Sequence, residues 1–248
     1  FPLISSSTKN LVGLFQFPND SSINFKSVQI NGRISLFHEF IYQRTRQNPR
    51  TANYDRVIEY ACDQKRIFYD TRFQGGYIKY CSTKPITKNK IVNIFKVHGS
   101  LDLFKDENNL VCSIPGLYNK PPDGFLPEII TPGTSKYKAV LTGSCRSVLH
   151  EADTVINEAS SFLCIGYGFN DEQIQERIIT GIKSGKPIVV VTKVISNKAV
   201  HLLESNSSNF IIVEENSDKP NTTRFKINKE QHCLDGTFWT IQGFQEII

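Results

Sequence analysis

From residue 160 onward, apolar positions alternate between short unbroken runs and a helical spacing. The run at 162–165 (FLCI) is long enough for one buried strand and ends in Gly166-Tyr167-Gly168. Ile174, Ile178 and Ile182 then recur at intervals of four, the mark of a helix with one apolar face. Asn170 or Asp171 stands where such a helix is capped. After Gly185, the run PIVVVT at 187–192 predicts a second buried strand. A short helix over 197–204 and a third strand over 210–214 complete the series. Strand, helix, strand, helix, strand means βαβ units, and runs apolar on both faces belong to a parallel sheet covered on each side.

Upstream the pattern is weaker. Residues 146–159 predict a helix with Val148, Ala152, Val155 and Ala159 on one face, broadened by Leu149 and Ile156. Residues 91–97 (IVNIFKV) predict one buried strand running into His98-Gly99-Ser100. From Tyr54 onward, Ile58, Ala61 and Cys62 predict a helix, and 33–45 predict another with Ile34, Phe37 and Ile41 on its face. Residues 111–136 are rich in Pro and Gly and read as loop. Residues 1–32 are polar and take no clear place. The expected fold is α/β: a Rossmann-like parallel sheet with helices on both faces, forming a single domain over 1–248.

Such sheets bind ligands beyond the carboxyl ends of their strands. Three segments meet that rule: 51–55, 98–100 and 166–171. His98 at a strand end is a base titrating near neutral pH, or an ordinarily hydrogen-bonded histidine. Gly99 beside it would let a ligand approach the backbone. Asn53 can orient a ribose hydroxyl or a water through its amide, or it and Asp55 can simply cap the following helix. Gly166 and Gly168 leave room for a phosphate or ribose at a helix N-terminus, or form a tight capped loop.

Composition narrows the classes. Hydrophobic residues are 39% and charged residues 21% of 248, as in ordinary globular proteins. No apolar stretch reaches the length of a membrane span. The formal charge of +5 is too small for a nucleic-acid footprint, and the cluster Arg44, Arg46 and Arg50 reads as a solvated face. Six scattered cysteines without a C-x-x-C pair give no zinc ribbon and suit a reducing, cytoplasmic setting. The sequence begins at Phe1 and contains no Met, as a fragment or a processed chain would.

Taken together, TANYDRVIEY (51–60), KVHGSLDL (96–103) and LCIGYGFNDEQI (163–174) resemble the blocks of sirtuin-like domains in prokaryotic anti-phage defence proteins. The resemblance covers about 51–248, including ITPGTSKY and the closing GTFWTI. It implies hydrolysis of NAD to ADP-ribose and nicotinamide, with NAD as substrate, no metal, and defence by NAD depletion. It implies catalytic roles for Asn53 and His98, and cofactor contacts from Tyr54, Asp55, Gly166, Gly168, Asn170 and Asp171. A homo-oligomer, with an ATPase as a possible partner, is the expected assembly. The alternative is a non-catalytic NAD or ADP-ribose module, or a scaffold in such an assembly. Two departures stand out: no Gly-rich strand–turn–helix precedes residue 51, and the stretch RTRQNPR is polar where the family has a buried strand. Without a C-x-x-C pair there is no zinc module, which argues against a protein deacylase.

Overall fold

A computed structural model describes residues 11–15, 50–51, 54–82, 91–116, 121–129 and 146–247, the first two segments as backbone alone. Strands β1 (Leu11–Phe15) and β2 (Arg50–Thr51) precede helix α1 (Val57–Gln64). Short strands follow: β3 (Tyr69–Asp70), β4 (Phe73–Gly75), β5 (Lys79–Cys81), β6 (Val92–Asn93) and β7 (Phe95–Lys96). Then β8 (Gly99–Lys105), β9 (Val111–Ser113) and β10 (Leu126–Ile129) lead to α2 (Arg146–Glu158). The C-terminal part is β11 (Ser161–Ile165), α3 (Glu172–Lys183), β12 (Ile188–Val191), α4 (Asn197–Asn206) and β13 (Phe210–Glu215). The hairpin β14 (Thr222–Ile227) and β15 (Glu230–Asp235) and helix α5 (Ile241–Ile247) close it.

Among the described residues, the larger sheet runs β15-β14-β13-β12-β11-β1-β2-β7. From β13 to β7 every pairing is parallel, and β14 and β15 add an antiparallel edge. The chain moves outward from β1 to β2 and β7, then returns to the other side of β1 for β11, β12 and β13. This is the doubly wound order, reversing between β1 and β11, and the crevice at such a reversal is where these sheets bind ligands.

Alternation along β11 shows the layers. Phe162 and Cys164 pack with α2, α3 and α4 through Val148, Ile156, Ile178 and Leu203. Leu163 and Ile165 pack on the opposite face with Ile58 and Cys62 of α1 and Phe244 of α5. Helices therefore cover both faces, which gives the Rossmann-like α/β fold expected from the sequence. No helix among the described residues is long and apolar enough to cross a membrane.

Several expectations need correction. The single strand at 91–97 is broken at Ile94: β6 pairs with β3 in a two-stranded sheet, and β7 pairs with β2 in the large one. Ile94 donates its N–H to Asp70 O at 2.8 Å and faces α1, while Phe95 faces α2, so both sides are apolar although the ladder changes partner. The stretch at 111–136 is not loop throughout, since it supplies β9 and β10 to a second sheet ordered β10-β8-β9-β5-β4. Pro127 is tolerated there because β10 lies at an edge. Within 1–32, the run LVGLF is the strand beside the reversal point, and polar Arg50-Thr51 is a strand despite its composition. The helix expected from Tyr54 begins at Val57. The helix expected over 33–45 lies outside the described residues.

Gly181 of α3 sits against the buried ring of Phe162, where a Cβ would come within 2.6 Å of Cε2 and 2.7 Å of Cζ. Gly181→Ala gains about 1 kcal/mol of helix propensity but overpacks the core, which typically costs about 1–3 kcal/mol. The net change in a urea unfolding curve is expected to be a loss of stability. A gain would show that Phe162 moves aside freely.

Candidate active site

The parallel strands end on one edge, and three post-strand segments converge there. His98 follows β7 by two residues and is 3% exposed. Its Nε2 is hydrogen-bonded to Asp171 Oδ2, the carboxylate having come round from the end of β11. The other oxygen, Asp171 Oδ1, accepts the N–H of Ile174 at 3.3 Å and caps α3. Asp171 is 8% exposed. His98 Nδ1 is buried and has no hydrogen-bond partner among the described residues.

The loop carrying Asp171 is shaped by left-handed residues. Gly166 has φ 62° and continues the ladder through its N–H to Val191 O at 2.8 Å. Phe169, with φ 55°, adopts a conformation costly for a bulky residue. Its ring is buried against Tyr167 at 4.8 Å between centroids, and the Tyr167 hydroxyl donates to Asp171 O at 3.4 Å. Burial of these two rings holds the loop in place. Gly168 lies between them, and Asn170 is exposed.

Asn53 lies outside the described residues, but its neighbour Tyr54 is well fixed. Tyr54 O accepts the Leu101 N–H at 2.9 Å and the Ser100 hydroxyl at 3.3 Å. The segment after β2 is thus tied to the strand that leaves His98. Burial, and then the nearby Asp171 carboxylate, raise the Tyr54 hydroxyl above its ordinary pKa. Asp55 Oδ1 accepts the Val57 N–H at 3.0 Å, so it holds the first turn of α1. Tyr54, Asp55, His98, Gly166, Gly168 and Asp171 therefore occupy one end of the sheet. Gly99 has a purpose not foreseen: at φ 90° its Cβ would lie 2.5 Å from Glu128 O, so the close neighbour is the backbone of β10.

Sequence reasoning missed a buried ionic network behind these residues. Lys96 Nζ lies 2.9 Å from Glu59 Oε1 and also donates to Asp55 O. Arg56 Nε stands 3.9 Å from Glu59 and 3.7 Å from Asp102. Asp102 accepts hydrogen bonds from the Ser100 hydroxyl and, at 2.6 Å, from that of Ser113. The signal was a charge within an apolar pattern: Glu59 beside Ile58, and Lys96 between Phe95 and Val97. Burial raises the Glu59 carboxyl above its usual pKa against the pull of Lys96. Desolvation pushes Asp102 the same way, but Arg56 and the two hydroxyls outweigh it and hold Asp102 below the ordinary range. Among the described residues no group of three or more His, Cys, Asp or Glu is gathered to hold a metal ion.

A family model described as SIR2-like domain matches residues 50–226. No curated protein matches the chain. Among solved structures, "Sir2-p53 peptide-NAD+" has 11% identity and a TM-score of 0.46, covering 82% of this chain and 87% of that one. "Sir2 bound to acetylated peptide" has 13% identity and a TM-score of 0.43, covering 72% and 63%.

Removing one member of a buried ion pair typically costs about 3–5 kcal/mol. Lys96→Met is expected to destabilise by that order in urea unfolding, and adding Glu59→Gln to restore much of the loss. A double variant as unstable as the sum of the singles would disprove the pairing. For Asp102, a native pKa below the unfolded value of about 3.9 means its stabilisation is complete above that pH and lost as pH falls through the native value. Asp102→Asn should be less stable than the wild type at neutral pH, yet lose less between neutral pH and about pH 3. Equal losses on acidification would contradict this.

Proposed function

The chain belongs to the SIR2-like domain family, and from that premise we propose that it binds NAD at the reversal between β1 and β11 and hydrolyses the nicotinamide–ribose bond. The observation that carries this reading is the buried His98, whose Nδ1 has no partner among the described residues, at the carboxyl edge of a doubly wound sheet. Tyr54, the next residue in sequence after Asn53, is tied to Leu101 and Ser100. A ribose hydroxyl or a water would satisfy the open nitrogen.

Cleavage of an N-glycosidic bond passes through an oxocarbenium-like transition state. Nicotinamide leaves without protonation, because the bond pair neutralises its ring charge. The protein has three tasks: to orient the ribose, to stabilise the positive charge that develops on it, and to take a proton from the incoming water. Asn53 orients the water or the ribose hydroxyls, and His98 accepts the proton. Tyr54, Asp55, Gly166, Gly168, Asn170 and Asp171 form the surrounding wall, with the two carboxylates favouring cationic character at the sugar. The physiological role proposed, on the strength of the motif resemblance, is anti-phage defence by NAD depletion, in a homo-oligomer that can include an ATPase.

The purified chain is expected to release nicotinamide from NAD, and Asn53→Ala and His98→Ala to lower kcat by about 10²–10⁴-fold while both variants remain folded at the assay temperature. Chromatographic detection of nicotinamide, run beside an acetyl-lysine peptide assay, decides the reaction class. Calorimetric binding of NAD with no nicotinamide release would favour the non-catalytic module instead. Full activity in both variants would sink the mechanism.

A further inference from the structure

We propose that Asp171 is the positioning residue of His98, fixing its imidazole as the Nε2–H tautomer so that Nδ1 is the atom that accepts the proton. This rests on the hydrolase reading for its chemical consequence but not for its geometry. A carboxylate has only acceptors, so a neutral imidazole facing it must place its proton on Nε2. The ring's one remaining lone pair is then on Nδ1, the buried nitrogen that has no partner among the described residues.

A capping role alone does not account for Asp171. Oδ1 suffices to cap α3 by accepting from Ile174, and Oδ2 is spent on the histidine. The two tasks are coupled, because the helix fixes the carboxylate that fixes the ring. The exposed N–H groups and dipole at the start of α3 also favour a negative charge at its cap. In the proton-transfer step, the water oxygen bonds to the ribose C1′ as the C1′–N bond breaks, its pair going to nicotinamide. The water proton moves to His98 Nδ1, and the imidazolium so formed is held by Asp171 through Nε2–H. The proton is released to solvent afterwards.

Asp171→Asn tests this role with the cap retained, because Asn is as good a helix cap as Asp, and the tautomer it leaves on His98 separates positioning from the loss of a negative charge. If its carbonyl oxygen keeps the Ile174 N–H, its amide NH₂ must face His98. That donor forces Nε2 to accept and moves the ring proton to Nδ1. Long-range proton–nitrogen NMR reads the tautomer directly, with the His98 signal among the five histidines assigned by its loss in His98→Gln. The wild-type chain should show Nε2–H and Asp171→Asn should show Nδ1–H, with kcat for nicotinamide release lowered about 10²–10⁴-fold and KM little changed. Asp171→Ser keeps a capping oxygen but has none to spare for the ring, and should give a mixture of tautomers.

A wild-type Nδ1–H ring, the same tautomer in all variants, or kcat retained in Asp171→Asn would overturn the assignment. A wild-type chain that shows the expected tautomers but releases no nicotinamide would fail the hydrolase reading while supporting the positioning role.

Discussion

The arrangement at the sheet edge depends on one desolvated ammonium. Lys96 ends β7, and its side chain is almost wholly buried. A buried cation must find acceptors or forgo ionisation. The acceptors here are the Glu59 carboxylate on α1 and the carbonyl of Asp55. Both lie downstream of β2, so satisfying the charge draws Asp55 and the start of α1 onto β7. Hydrogen bonds from Ser100 and Leu101, two and three residues beyond His98, secure Tyr54, just ahead of Asp55. Residues on each side of His98 thus hold Tyr54 and Asp55 in place, through the Lys96 ammonium, the Ser100 hydroxyl and the Leu101 N–H.

A second constraint reaches the same histidine from across the reversal point. The β11–α3 loop is anchored by Tyr167 and Phe169, whose rings are buried in the core shared with α2 and α3. The left-handed Phe169 is tolerated because that packing offsets its backbone strain. The result is a carboxylate that serves helix and histidine together. One side of the site is therefore held by charge and the other by apolar burial, two interactions that salt and temperature affect differently.

Much of this was legible in the sequence, and the exceptions have physical causes. The series β11, α3, β12, α4, β13 was readable because burial on both sheet faces gives unbroken apolar runs and the helices keep one apolar stripe. The strand LVGLF was hidden: five apolar residues in polar surroundings fit a buried strand or a helix fragment equally well. Arg50-Thr51 carries no pattern, since two residues placed between two other strands need only backbone hydrogen bonds. The edge strand β10 was disguised by Pro127, and the terminal hairpin by its Asn228-Lys229 turn, where Asn228 takes the left-handed conformation more often associated with Asn-Gly. Within the site, His98 and Asp171 stood out as polar residues after apolar runs. Lys96 and Glu59 carried only the mark of a charge inside an apolar pattern, and spacing alone does not separate a buried charge with a partner from a solvated one.

The placement of unsatisfied groups is the strongest pointer to where chemistry belongs. Four buried side-chain atoms among the described residues lack a hydrogen-bond partner, and three of them, Arg56 Nε, Glu59 Oε2 and His98 Nδ1, lie in this one region. Each such atom costs about 1–3 kcal/mol relative to a satisfied one, and a chain selected for stability alone has cheap remedies, such as Leu or Gln at the same positions. The Arg56 and Glu59 atoms belong to charges that hold the turn after β2, so their cost goes with positioning. His98 differs, because its hydrogen-bonded nitrogen faces inward to Asp171 and its open one is left over. A histidine kept only for packing would gain by exchange for an apolar residue of similar size. One whose second nitrogen serves a ligand carries that cost as part of its task.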